Sequence, residues 1–244
     1  MRAVITGGTR GIGLATAVEL GQAGYDIILT GFSQEDADTA LKELTAKGIK
    51  AEFYFADSTK EEDVNAVFDK LAEKYGSIDV LVNNVGGLGG RQRFEGMETG
   101  FMRSVMALNF DSAFFASRAA IPLLKKGSHP SIINFSTIAV TSGGGRGAGI
   151  YAASKGAIEG LTRALAKDLA EYGIRVNAVS PGTIDTLFHA ATAREVLESW
   201  TKDIVLQRLG QPEEVASVIG FLASEKASFL TGEVIQINGG QAFI

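Results

Sequence analysis

Seven short apolar runs, each separated from the next by sequence of helical length, constrain this chain more than any other feature. They fall at 3–5, 27–29, 51–55, 80–82, 131–135, 175–179 and 234–237. Near-continuous apolar character, without the alternation of a sheet that has one wet face, predicts strands covered on both sides. Helices between successive strands predict crossover connections and parallel pairing. Helical patterns occupy 14–23, 35–47 and 61–75, a longer region ends near 126, and a further helix carries Tyr151. The expectation is an α/β fold, a doubly wound seven-stranded parallel sheet with helices on both faces, in a single domain spanning 1–244. A length of 244 residues suits one such core.

In a sheet of this kind, ligands bind beyond the carboxyl ends of the strands. The segment 7–13 follows the first strand, Asp57 the third, Asn83 and Asn84 the fourth, Ser136 and Thr137 the fifth, and Pro181 and Gly182 the sixth. Glycine clusters at 7–13, 86–90 and 143–149, which predicts ligand loops. Thr6-Gly7-Gly8-Thr9-Arg10-Gly11-Ile12-Gly13 runs from a strand into a helix. There Gly11 and Gly13 let backbone approach a pyrophosphate, and the helix start offers free N–H groups. The spacing departs from G-x-G-x-x-G, so the flanking strand and helix carry the assignment. Tyr151 and Lys155, four apart, project from one helix face. A nearby ammonium favours phenolate and makes the phenol usable in proton transfer.

Composition excludes several alternatives. Net charge is −5 with scattered Lys and Arg, which gives nucleic acid no footprint. No apolar run is long enough to span a membrane. There are no cysteines and only two histidines, His129 and His189, so neither disulfides nor a metal site are expected. Met1 leads directly into a strand with no signal peptide pattern, and a cytoplasmic location is expected. A serine hydrolase is disfavoured because Ala178-Val179-Ser180-Pro181-Gly182 lacks the first glycine of a nucleophile elbow.

Together these motifs resemble the short-chain dehydrogenase/reductase family over essentially the whole chain. They are TGGTRGIG at 6–13, Asp57, NNVG at 83–86, Asn109, the hydroxyls at 136–137, YAASK at 151–155, PGTIDT at 181–186, RLGQPEEVA at 208–216 and TGEVIQINGG at 231–240. The resemblance implies a Rossmann-type fold and a nicotinamide-dependent reduction of a carbonyl or oxidation of an alcohol. It implies Tyr151 as proton donor. Lys155 would lower the tyrosine pKa and bind the nicotinamide ribose, and Asn109 would hold a water relay to Lys155. It also implies a cofactor site formed by Gly7, Thr9, Arg10, Gly11, Ile12, Ser33, Asp57, Asn84, Tyr151, Lys155, Pro181, Gly182, Ile184 and Thr186. Of these, Asp57 would accept a bond from the adenine amino group, with a helix N-cap as its structural alternative.

Three departures matter. Counting back from Tyr151 to the family's catalytic serine lands on Ile138, whereas aligning on the strand places Thr137 there; Thr137 is the expected carbonyl-polarising hydroxyl and Ser136 the alternative. Successive strand residues face opposite ways, so at most one should reach the substrate. Val85 replaces the usual alanine of the NNAG stretch. The second strand ends Thr30-Gly31-Phe32-Ser33 with no carboxylate before Glu35, and Arg10 stands where a basic residue grips a 2′-phosphate. NADP(H) is therefore expected, with NAD as the alternative.

Within the family the loop and helix motifs resemble 3-oxoacyl-[acyl-carrier-protein] reductases, implying a carbonyl substrate that is an acyl thioester or a small molecule. Ser128 and Tyr172 replace the arginines those reductases carry, with Lys125, Lys126, Arg91 and Arg93 as basic residues that compensate. A dehydrogenase of a small alcohol or sugar, or a nucleotide-binding member without turnover, is the alternative. The segment 183–202, with Phe188, His189 and Trp200, is expected to form a substrate-side lid. Phe110, Phe114, Phe115, Leu161, Leu165 and Leu169 supply more apolar surface than one sheet face covers, and with the last strand and Phe243-Ile244 they predict a homotetramer.

Overall fold

The computed structural model describes residues 1–186 and 194–243. Its strands are β1 (Arg2–Thr6), β2 (Asp26–Gly31), β3 (Ala51–Phe55), β4 (Val80–Asn83), β5 (Ser131–Phe135), β6 (Arg175–Pro181) and β7 (Val234–Ile237). They pair in parallel in the order β3-β2-β1-β4-β5-β6-β7. The order reverses at β1, whose two neighbours are β2 and β4, and a crevice opens there at the carboxyl ends.

Helices α1 (Gly11–Gln22), α2 (Gln34–Ala46) and α9 (Pro212–Ala223) cover one face; α3 (Glu61–Tyr75), α5 (Ser112–Leu124) and α7 (Gly149–Asp168) cover the other. The division follows from strand alternation. Ala3, Ile5, Ile27, Leu29 and Ile133 pack toward α1 and α9, whereas Val4, Ile28, Leu81 and Ile132 pack toward α3 and α5. Full burial of such side chains contributes about 1.5–3 kcal/mol each, which is why short strands suffice.

The long helical region is not one helix. It consists of α4 (Thr99–Met106), a wider π-turn at Ala107–Asp111, and α5. Between β5 and α7 stands the single turn α6 (Ala139–Ser142), and α8 (Arg194–Asp203) lies within the 183–202 segment expected as a lid. Residues 187–193 of that segment, with Phe188 and His189, lie outside the described residues, as does Ile244. The expected surplus of apolar surface is narrower than the sequence indicates. Leu169 is buried within the chain, Leu165 and Phe115 pack against the same core, and Phe114 keeps 37% of its surface exposed.

A buried polar chain locks the active edge of the sheet to its helices. Asn83 Nδ2 donates to Ser117 Oγ and to Asn134 Oδ1, both at 2.8 Å, and Asn134 Nδ2 donates to Thr162 Oγ1 at 2.9 Å. Ends of β4 and β5 are thereby fixed to α5 and α7. In a low-dielectric interior, bonds of this kind specify one arrangement, since a shift would unpair further buried polar groups beside Asn83 Oδ1, which already has no partner among the described residues.

Candidate active site

The glycine loop after β1 is held open by neighbouring elements. Gly7 N donates to Thr30 O (2.9 Å), and Asn84 Nδ2 donates to the carbonyls of Thr6 (3.0 Å) and Gly7 (2.9 Å). Gly7 and Gly11 have φ of +61° and +54°, where a side chain would be strained. A Cβ on Gly13 would lie 2.5 Å from Gly7 O and 2.7 Å from Asn84 Nδ2. Val85 also bears on this loop, since a Cβ on Gly7 would come 3.1 Å from its Cγ2. Arg10, the residue before α1, makes no side-chain cap, so the first N–H groups of the helix stay available to an anion. Thr9 lies against Gly31, Ile12 packs on the core, and Thr186 stands beside Gly11, where an added Cβ would be 3.7 Å from Thr186 Cγ2.

Two positions extend this cradle sideways. Arg10 Nη1 lies 3.4 Å from Asp36 Oδ2, in the first turn of α2, whose N-cap Ser33 accepts a bond from Asp36 N through Oγ at 3.2 Å. The carboxylate meeting Arg10 is therefore Asp36, one residue beyond Glu35. Beyond it, Phe32, Phe55, Asp57, Thr59, Lys60 and Asp63 line a cleft of about 490 Å³. Phe32 and Phe55 are 70% and 63% exposed, which is unusual for phenylalanine and gives a flat ring somewhere to stack. Asp57 is not the N-cap of α3; that is Lys60. Asp57 Oδ1 instead accepts from Thr59 Oγ1 (2.7 Å) and Thr59 N (3.0 Å), and the side-chain bond from Thr59 is the main reason its carboxyl titrates below the ordinary range.

The other half of the site is built on β5 and α7. Ser136 Oγ donates to Glu159 Oε1 on α7 (2.8 Å). Thr137, the next residue, hydrogen-bonds the Tyr151 hydroxyl. Lys155 is buried, 3% exposed, and its Nζ donates to Phe135 O at 2.9 Å. Asn109, in the π-turn, is fully buried. Its Oδ1 accepts from Gly87 N (2.9 Å), and its Nδ2 donates to Gly87 O (2.8 Å) and Val105 O (3.0 Å). A Cβ on Gly86 would fall 2.7 Å from Lys155 Nζ and 2.8 Å from Asn109 Oδ1, so ammonium and amide oxygen flank one bare stretch of backbone.

The electrostatics differ from the sequence expectation. Burial pushes the Tyr151 phenol above its ordinary pKa, and the Thr137 bond lowers it in part; Lys155 is not among the groups that shift it. Burial also brings Lys155 down to about 8, because its ammonium is removed from water with one carbonyl as its recorded partner. Helical spacing puts the two side chains on one face but cannot say how dry that face is.

On the sixth strand, Pro181 O accepts from Ile138 N (3.1 Å) and Gly182 N donates to Ile237 O (2.9 Å), while Ile184 bridges to Gly210. The predicted site residues thus form one rim from Gly7 to Thr186 across the carboxyl ends of β1 through β6. Asn84's side-chain grip on the loop, Glu159 under Ser136, and the pair Phe32 and Phe55 are the positions that sequence reasoning missed.

Comparison with known proteins meets this geometry. The family model for enoyl-(acyl carrier protein) reductase matches residues 7–242. The chain belongs to the short-chain dehydrogenase/reductase family. It is 37% identical over 238 residues to 3-oxoacyl-[acyl-carrier-protein] reductase FabG of Aquifex aeolicus, covering 97% of this chain and 95% of the relative. It is 35% identical to the 3alpha-hydroxysteroid dehydrogenase of Mediterraneibacter gnavus, at 97% and 95% coverage. Among solved structures, the NADH-dependent reductase A1-R′ responsible for alginate metabolism superposes with TM-score 0.90 at 35% identity, over 100% of this chain and 97% of that one. A putative gluconate dehydrogenase from Agrobacterium tumefaciens gives 0.92 at 30%, over 100% and 96%. As a member of this family the protein is a nicotinamide-dependent oxidoreductase acting on CH–OH groups. The cradle fits such a cofactor, since only glycine leaves Gly13 clear of the Gly7 carbonyl.

Burial of Lys155 sets a test of stability against function. Its pKa is lower folded than unfolded, so the cost of the buried charge is fully present below about 8 and is relieved as pH rises from there toward the ordinary 10.5. Lys155→Met should therefore raise stability at neutral pH by about 1–3 kcal/mol in urea unfolding, while activity is lost. The gain should shrink above the Lys155 pKa. A variant less stable than the original at neutral pH would overturn this account.

Proposed function

We propose that the protein is an NADP(H)-dependent carbonyl reductase in which Tyr151 delivers the proton, with a 3-oxoacyl thioester or related ketone as substrate. The observation that carries this reading is the Thr137–Tyr151 hydrogen bond beside buried Lys155, on the same rim as the glycine loop. A nicotinamide dinucleotide held along 7–13 supplies the hydride. Thr137 and Tyr151 then present two O–H donors to the carbonyl oxygen, which gains negative charge as the carbonyl carbon is reduced. Tyr151 gives up its proton to that oxygen. Below its pKa of about 8 Lys155 is a cation on the same helix face, a charge of the sign that favours the phenolate left behind. Asn109 holds the Gly87 loop against Lys155, the route by which a water relay would return the proton.

NADP(H) is favoured because Arg10 projects from the cradle toward Ser33, where a 2′-phosphate would outcompete Asp36 for the guanidinium. The ring cleft of Phe32 and Phe55, with Asp57 at its wall, suits the adenine. For the substrate, the curated reductase relatives support an acyl thioester. Lys125 Nζ stands 3.4 Å over the Tyr172 ring, a basic group beside one of the positions where those reductases carry arginine. The lack of arginine at Ser128 and Tyr172 favours the second reading, a dehydrogenase of a small alcohol or sugar. Assembly as a homotetramer is supported by Phe114 and by β7, an edge strand that stays only half-buried.

Removing the donor by Tyr151→Phe should lower kcat on the order of 10²–10⁴-fold, and Thr137→Val should lower it about 10–10³-fold. Ser136→Ala should stay within about threefold, because its hydroxyl serves Glu159. Turnover persisting in Tyr151→Phe ends the mechanism, and a larger loss in Ser136→Ala than in Thr137→Val reverses the hydroxyl assignment.

Arg10→Ala should reduce kcat/KM with NADPH about 10–100-fold and leave NADH within about threefold. Equal kcat/KM with the two cofactors in the unaltered protein would defeat the preference.

Light scattering at micromolar concentration should give a tetramer mass, and a monomer would refute the assembly.

A further inference from the structure

The glycine-rich loop 143–149, just before Tyr151 in the chain, is fastened to residues 91 and 92, which follow the glycine-rich loop 86–90. Gln92 N donates to Gly147 O at 3.0 Å, and Arg91 Nη1 donates to Arg146 O at 3.1 Å. Gly147 has φ of +78°, and a Cβ there would meet Arg91 Cβ at 3.2 Å and Gln92 N at 3.3 Å. Docking this close fixes both stretches of backbone, and the Arg146 carbonyl holds the exposed Arg91 guanidinium. Between the loops lies a cavity of about 240 Å³, lined by Arg93, Phe94, Glu95, Arg146, Gly147 and Gly149 among others. Gly149 opens α7 two residues before Tyr151, so the cavity adjoins the proton donor along the chain.

The charges around this cavity do not balance: Arg146 lines it, and Arg91, outside the lining, reaches the Arg146 carbonyl at its edge. Arg93 Nε is paired with Glu95 Oε1 at 2.9 Å. Arg91 and Arg146, by contrast, have no carboxylate partner among the described residues, in a chain of net charge −5. Arg91 is aimed by the Arg146 carbonyl, leaving its other N–H groups free for a second acceptor. A planar guanidinium fork fits carboxylate or phosphate oxygens in pairs. The volume is below the ~300 Å³ at which drug-sized ligand pockets begin, so it suits a charged end group more than a whole substrate.

We propose that Arg91 and Arg146 form an oxyanion subsite that binds a negatively charged group carried by the carbonyl substrate itself. This rests on the carbonyl-reductase reading above and narrows its substrate class to carbonyl compounds with an anionic end. Two sources share that chemistry: the carboxylate of a free oxo acid, and the phosphate of a phosphopantetheine thioester. The end group anchors the molecule by charge, while Thr137 and Tyr151 hold the carbonyl oxygen.

The test compares anionic and neutral members of matched pairs, read by NADPH and NADH oxidation. The pairs are levulinate with methyl levulinate, and acetoacetyl-phosphopantetheine with acetoacetyl-pantetheine. The anionic member of at least one pair should have the lower KM. Arg146→Gln and Arg91→Gln should raise that KM about tenfold or more, with kcat within about twofold and the neutral partner unmoved. Which pair responds identifies the source. No preference for either anionic member, or equal effects on both members of each pair, overturns the subsite. Calorimetry on the non-reactive Tyr151→Phe chain with NADP present separates this from the reductase reading. Anion binding there that is lost on adding Arg146→Gln upholds the subsite even if no carbonyl is reduced; anion binding that is absent, or unchanged by that substitution, sinks it even if neutral ketones are turned over.

Discussion

A single buried ammonium organises the active edge of this protein. Lys155, 3% exposed, is satisfied by the carbonyl of Phe135, the last residue of β5. That bond ties the start of α7 to the strand end from which Thr137 reaches Tyr151. The lysine can stay in so dry a place because its surroundings are rigid: Gly86 leaves no Cβ to collide with it, and Asn109 clamps the Gly87 backbone from the far side. Burying a cation with so little compensation costs stability. The two apolar layers on either side of the sheet offset that cost, so core and site are parts of one free-energy balance.

Much of this was legible in the sequence, for physical reasons. Apolar runs such as Ile27-Ile28-Leu29 must be covered on both faces, and helical sequence between them forces crossovers, so the parallel sheet and its rim of carboxyl ends follow from pattern alone. The breaks in the helical region before Lys126 did not follow, because the π-turn at Ala107–Asp111 coincides with the bonds from Asn109 to Gly87, a tertiary contact with no local signal. Asn84 is similar. Its backbone position suggested a role lining the cofactor, whereas its side chain staples the glycine loop to β4.

The direction of the Tyr151 shift was the least legible quantity. Spacing of four residues states that two side chains share a face. It is silent on where the ammonium points and on how much water the phenol keeps. In the folded chain desolvation dominates for both groups, raising Tyr151 above its ordinary 10.0 and lowering Lys155 from 10.5 to about 8, so the phenol holds its proton more tightly and the ammonium less.

The choice between the adjacent hydroxyls shows how strand geometry and helix packing act together. Ser136 and Thr137 lie just past the end of β5, so the alternation expected of strand residues does not by itself say which hydroxyl faces the substrate. Glu159, two turns along α7 from Tyr151, accepts the Ser136 hydroxyl. With Ser136 committed to the helix, Thr137 is left for the phenol, and its β-branch restricts the hydroxyl to few rotamers. In the proposed mechanism a donor held this way loses little entropy on meeting a carbonyl oxygen, so there the methyl that distinguishes threonine from serine would pre-organise the site as well as crowd it.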